Sequence, residues 1–149
     1  MLAMPANVRS KSNEVWEMIE VAADNEQLLR TGYGAFASGD LATVERMFHP
    51  GVIWHAQRLG QLGGDHIGWP AVADFFGRSM QLTRGSFRID VIEVLTNAAG
   101  GAVVVQSMGE RDGRRLNDRQ VHLFHVENGQ VTEVWQFVGD GHAAEAFWS

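Results

Sequence analysis

The chain has 149 residues, with 18 acidic and 12 basic side chains, a formal net charge of −6, 45% hydrophobic residues and no cysteine. This length fits one domain around a single core, and the negative balance without any basic run argues against a nucleic-acid surface. The lack of cysteine excludes disulfides, thiolate nucleophiles and cysteine metal sites, and no stretch approaches the ~18 apolar residues of a membrane span, so a cytoplasmic protein without membrane contact is expected.

Residues 1–23 read as an N-terminal tail or an extra helix, the first dozen as a frayed tail, and 24–149 as the single domain. Asp24 with Gln27 three positions on resembles a capping box, and Leu29, Tyr33 and Phe36 then recur as a buried helical stripe. Gly39 suits a helix end, and Asp40 an N-cap for a short second helix, Leu41 to Phe48, stopped by His49-Pro50-Gly51. Val52 to Gln57 reads as a strand, and a glycine-rich loop follows. Trp69-Pro70 opens a third helix with Val72, Phe75, Phe76 and Met80 on its apolar side. Strand-like runs then cover Phe87–Thr96, Ala102–Arg111, Gln120–Val126 and Val131–Val138, with a short helix or tail ending at Phe147-Trp148. Helices first and a strand meander later indicate an α+β fold. The last two strands are apolar on both faces, which points to a homodimer through the outer sheet face.

The closing hairpin frames the functional question. A two-residue Asn128-Gly129 turn makes His122 face Trp135 and sends Gln136 to the other side of the sheet. A three-residue loop, Glu127-Asn128-Gly129 with a G1 bulge, instead pairs His122 with Val134 and leaves Gln136 diagonal on the same face, roughly 5–8 Å away.

The motifs Y33-x-x-F36-x-x-G39-D40, F48-H-P-G-V52-I-W54-H55, L62-G-G-D65-x-x-G68 and N128-G-Q-V-T-E-V-W-Q136, in this order, resemble the SnoaL-like and ketosteroid-isomerase-like branch of the NTF2-like superfamily. The resemblance runs from about Asp24 to Gly139. It implies a conical half-barrel, with three N-terminal helices packed on a curved mixed or antiparallel sheet around an apolar pocket, and often a dimer through the sheet. It also implies the bulged form of the hairpin, with His122 and Gln136 in the pocket.

By that resemblance, His122 stands where SnoaL-type cyclases carry a histidine, and Gln136 where they carry an aspartate. A neutral amide does no acid–base work near neutral pH. Epoxide hydrolases of this fold use an acid at the same place and an Arg-x-Asp pair on the third strand, where this chain has Gln106-Ser107-Met108-Gly109. The base of the steroid isomerases falls near Ala56, their oxyanion-hole acid near His122 and their tyrosine near Gly32, so that set is not retained either.

The expectation is therefore a pocket for a small apolar molecule, with no cofactor and no metal. His122 and His55 are the candidate catalytic groups, and Gln136, Tyr33, Trp54, Phe124, Val134, Asp65 and His66 the candidate ligand contacts. Strand alternation puts Val52, Trp54 and Ala56 on one face and His55 on the other, which leaves open whether His55 reaches the pocket. With His122 as base, such a pocket would isomerise, cyclise or dehydrate a carbonyl compound without a cofactor. The alternatives are a non-catalytic ligand binder and a dimeric interaction module.

Overall fold

A computed structural model describes residues 6–149, with side chains from residue 11 onward. The first helix, α1 (Ala6–Ser38), is longer than its sequence suggests and runs unbroken through Asp24. The Asp24–Gln27 pair is thus mid-helix and caps nothing, because no proline or glycine interrupts the residues before it. The expectation of a frayed tail falls partly on residues 1–5, outside the described residues. Gly39, at φ +74°, ends α1 in a Schellman turn: its N–H donates to Phe36 O at 3.2 Å, and that of Asp40 to Ala35 O at 2.8 Å.

Asp40 caps the second helix, α2 (Leu41–Met47), by accepting from Thr43 N at 3.2 Å. Strand β1 (Phe48–Ala56) begins at once, taking in the His49-Pro50-Gly51 segment. Within the glycine-rich loop lie a 3₁₀ turn (Gly60–Leu62) and a short strand, β2 (Gly64–Ile67), which the glycines concealed from sequence reading. Helix α3 (Trp69–Leu82) buries Val72, Phe75 and Ser79; Met80, expected on that face, is exposed. The meander follows as β3 (Arg88–Asn97), β4 (Gly100–Arg111), β5 (Arg114–Glu127) and β6 (Gln130–Phe137). A fourth helix, α4 (Gly141–Trp148), closes the chain.

The six strands form one sheet in the order β2-β1-β6-β5-β4-β3, antiparallel except where β1 runs parallel to β6. All four helices pack their buried residues into one core with the inner face of this sheet, where Leu29, Val52, Val72, Val103, Val105, Val131 and Val134 are fully buried. The α+β half-barrel expected from the sequence is the fold observed, with α4 added to its three N-terminal helices. No helix of the described residues is long and apolar enough to cross a membrane.

The hairpin resolves in a way neither sequence reading contained. Asn128 and Gly129 both have positive φ, +50° and +75°, and Glu127 pairs with Gln130, so the turn is the two-residue type. The register then shifts between Val126, opposite Val131, and His125, opposite Glu133. Thr132 is the extra residue, a bulge on β6 that restores the face a plain two-residue turn would have lost. His122 consequently lies directly opposite Gln136, and not Val134.

Candidate functional site

The inner face of β5 carries Leu116, Asp118, Gln120, His122, Phe124 and Val126 in strict alternation, all buried. His122 points into the cone, where a cavity of about 60 Å³ is walled by Tyr33 and Phe36 of α1, Trp54 of β1, Phe75 and Phe76 of α3 and Trp148 of α4. Gln136, Phe124 and Ser79 are also in the wall, and the Met47 side chain lies against Gly32. A β-carbon at Gly32 would meet the Met47 sulfur at 2.2 Å, so the absence of a side chain there lets the thioether pack against α1 at the cavity wall.

The polar atoms at the closed end form one connected network. Asp118 accepts at both oxygens, from Gly139 N at 3.2 Å and Asp140 N at 2.9 Å. The remaining bond to Asp118 Oδ2, at 3.1 Å, must therefore come from the amide nitrogen of Gln120. That turns Gln120 Oε1 toward Gln136 Nε2 (2.9 Å) and His122 Nε2 (3.2 Å), and both must donate to it. Gln136 Oε1 is left to accept from Trp54 Nε1 at 3.0 Å. With its proton on Nε2, His122 accepts at Nδ1, and the Tyr33 hydroxyl donates there at 2.6 Å. One acceptor-only carboxyl group thus fixes the amide orientations, the imidazole tautomer and the hydroxyl direction.

Burial keeps His122 and Tyr33 uncharged. Loss of solvent lowers His122 to about 3 and raises Tyr33 well above its ordinary range, so both are neutral at pH 7. Tyr33 spends its proton on His122 and retains oxygen lone pairs, while one N–H of Gln136 has no partner among the described residues.

Of the residues picked out from sequence, Tyr33, Trp54, His122, Phe124 and Gln136 meet at this cavity. Val134 is buried beneath it, between Phe124 and Trp54 in the sheet, and does not line it. His55 lies on the opposite face of β1 because the bulky Trp54 takes the inner position, so it is not a pocket group. There its Nδ1 and Nε2 meet Asp65 Oδ1 at 2.7 Å and Glu133 Oε2 at 2.6 Å, with Trp135 stacked on the ring at 5.4 Å. Two carboxylates at hydrogen-bonding distance favour the protonated ring, and the Glu133 bond is the leading cause of its raised pKa. Asp65 is therefore an outer-face partner of His55, not a rim residue. His66 stacks on Phe75 at 4.4 Å and donates to Leu62 O at 2.8 Å, which keeps it out of the cavity.

Asp118 and Gln120 were missed from sequence. The signal was the period-two run from Leu116 to Val126, whose first part, up to Arg119, the Asp112-Gly113-Arg114 turn and the polar Asn117-Asp118 pair masked as loop; Gln120 lay in the expected strand and was passed over as a polar residue at its start.

The SnoaL-like domain family profile matches residues 29–134. An uncharacterised protein of Mycobacterium tuberculosis is 30% identical over 123 residues, covering 82% of this chain and 94% of its own. The structure of Bal32a, from a soil-derived mobile gene cassette, superposes with a TM-score of 0.84 at 32% identity, covering 87% of this chain and 99% of that one. An NTF2-like protein from Burkholderia xenovorans superposes at 0.74 with 19% identity, over 86% and 98% of the two chains.

Proposed function

The chain belongs to the SnoaL-like domain family, and from that premise we propose that its cone binds a small, neutral, largely apolar molecule carrying one hydroxyl group. The carrying observation is the polar end of the cavity, where His122 and Tyr33 are neutral and two hydrogen-bonding valences remain unused. The Tyr33 oxygen can accept and the spare N–H of Gln136 can donate, in a largely apolar wall, which suits a hydroxyl group. As closed, the cavity of about 60 Å³ is smaller than a benzene-binding cavity of ~150 Å³, so a ligand enters by displacing a wall. The Met47 thioether is the most pliable wall present.

A second reading, cofactor-independent isomerisation, cyclisation or dehydration, has the 2.6 Å Tyr33–His122 contact in its favour. The Tyr33 oxygen would take a carbon-bound proton as its own proton passed to His122 Nδ1, leaving an enolate and an imidazolium. A histidine held near pKa 3 is a weak base for that step, which makes binding the leading reading. Calorimetry with phenol and toluene separates the ideas. Phenol is expected to bind more tightly than toluene, with the preference lost in Tyr33→Phe; equal binding of both, or of neither, contradicts the proposal. Deuterium exchange into cyclohexanone by wild type, abolished in His122→Gln, would instead establish the chemistry.

A further inference from the structure

Ser107 Oγ is the one fully buried polar side-chain atom without a hydrogen-bond partner among the described residues. A hydroxyl left in that condition costs free energy, so its unused donor calls for an explanation. Ser107 belongs to the inner face of β4, where Val103, Val105, Ser107 and Gly109 alternate as buried residues. In register it stands between Ile89 of β3, which lines the cavity, and Asp118 of β5. Residues paired in this way share a face, with β-carbons about 5 Å apart. The rings of α4 cover this end of the cone. At Gly109, the next inner position, a β-carbon would lie 3.7 Å from Phe147 Cζ, and Phe147 packs at 4.8 Å on Trp148, which walls the cavity together with Phe87.

We propose that Ser107 is the second polar contact of the ligand. The molecule that meets Tyr33 and Gln136 with its hydroxyl is elongated, and at its far end it carries a neutral carbonyl oxygen that accepts from Ser107 Oγ. This inference rests on the reading of the cone as a ligand site. Asp118, opposite Ser107, stands four residues before His122 on β5, which sets the two polar ends roughly 13 Å apart along the sheet. With a hydrogen bond spent at each end, ligand oxygens roughly 10 Å apart bridge them. The cavity of about 60 Å³ does not hold such a molecule as closed, so seating it moves the Trp148 indole off the Ser107 end.

The neighbours of Ser107 choose the chemistry of that far end. Asp118 accepts from Gly139 N, Asp140 N and the Gln120 amide, so it is an acceptor-only group. A ligand carboxylate at Ser107 would lie beside it without a cation to offset either charge, whereas a carbonyl needs only the donor that Ser107 holds. Ser79, the other serine at the cavity, does not compete, because its hydroxyl donates to Phe76 O at 2.6 Å.

Calorimetry of the full chain with para-phenylphenol derivatives tests this, the far ring bearing an acetyl, an ethyl or a carboxylate group at its para position. The acetyl and ethyl compounds share length and apolar surface, so the cost of moving Trp148 cancels between them. The acetyl compound is expected to bind about fivefold more tightly than the ethyl one, and Ser107→Ala should abolish that advantage while leaving the ethyl compound unaffected. The carboxylate should bind more weakly than both. In the free protein, Ser107→Ala should leave the melting temperature unchanged or raise it, because an unpaired hydroxyl is removed. Equal binding of acetyl and ethyl, an advantage that survives Ser107→Ala, or tightest binding by the carboxylate overturns the proposal. So does a lower melting temperature of Ser107→Ala, which would show the hydroxyl already bonded to water. In those cases binding that still depends on Tyr33 leaves the reading of the cone intact. Failure of all three compounds overturns the proposal as well, and the phenol titration then decides whether that reading falls with it.

Discussion

His122 and His55 sit on opposite faces of one sheet and are shifted in opposite directions, by burial in one case and by flanking carboxylates in the other. Their linkage to stability therefore has opposite sign. His122, lowered to about 3, contributes stability that is complete above its unfolded value of ~6.5 and lost as pH falls toward 3, with a slope of up to about 1.4 kcal/mol per pH unit. His55, raised, contributes stability that is complete below ~6.5 and lost as pH rises through its folded value. Urea unfolding across pH should show His122→Gln flattening the acid limb and His55→Gln the alkaline one; an acid limb unchanged in His122→Gln would mean that the imidazole is not held neutral. Gln136 gives a sharper test of the network's polarity. Gln136→Glu places a carboxylate against Gln120 Oε1, which needs a donor, at a cost of about 1–3 kcal/mol near pH 8. The penalty relative to wild type should shrink toward pH 5 as the new acid protonates and regains an O–H; a penalty constant with pH would refute the assigned orientations.

At the level of elements, α4 and the closing hairpin decide the shape of the cone. Trp148 fills one wall, and the end of α4 is held by Arg111, which donates to Phe147 O at 2.7 Å and to Ser149 O at 2.5 Å. Gly60, at φ +54°, lies so close that a β-carbon would meet the Trp148 carbonyl carbon at 2.4 Å. Gly60→Ala should cost about 1–3 kcal/mol and speed amide exchange along α4 selectively; uniform protection would show that α4 does not depend on this contact. Most of the elements were legible in the sequence, because apolar periodicity marks α1 from Leu29 onward, α3 and the four meander strands. What escaped had a physical reason in each case. The glycine-rich loop hides β2, whose pairing with β1 is tertiary, and α1 extends N-terminally with an apolar stripe that meets nothing in its own domain. The Asn128-Gly129 pair correctly indicates its turn, yet the Thr132 bulge that returns Gln136 to the His122 side leaves no mark in turn chemistry. Within the site, Tyr33, Trp54, His122, Phe124 and Gln136 were readable, whereas two equally apolar faces of β1 left the side taken by His55 open.

For the whole molecule, the parts divide into an inward cone lined by uncharged side chains and an outward surface carrying the His55 cluster, the apolar sheet face and the exposed N-terminal half of α1. Asp118 connects two levels: through Gln120 it sets the polarity at His122, and through Gly139 and Asp140 it holds the start of α4, which Asp140 caps by accepting from Ala143 N at 3.0 Å. Binding in the cone and the position of α4 should therefore respond together. The central claim is that the cone takes the ligand at its neutral polar end. It is tested most directly by a nitrogen-resolved NMR titration with phenol at pH 7, following the Trp54 indole, the Gln136 amide and the His122 ring. Saturable shifts are expected at all three, with His122 remaining the neutral Nε2–H tautomer. Shifts confined to the outer sheet face or the N-terminal half of α1, or a protonated His122, would contradict it.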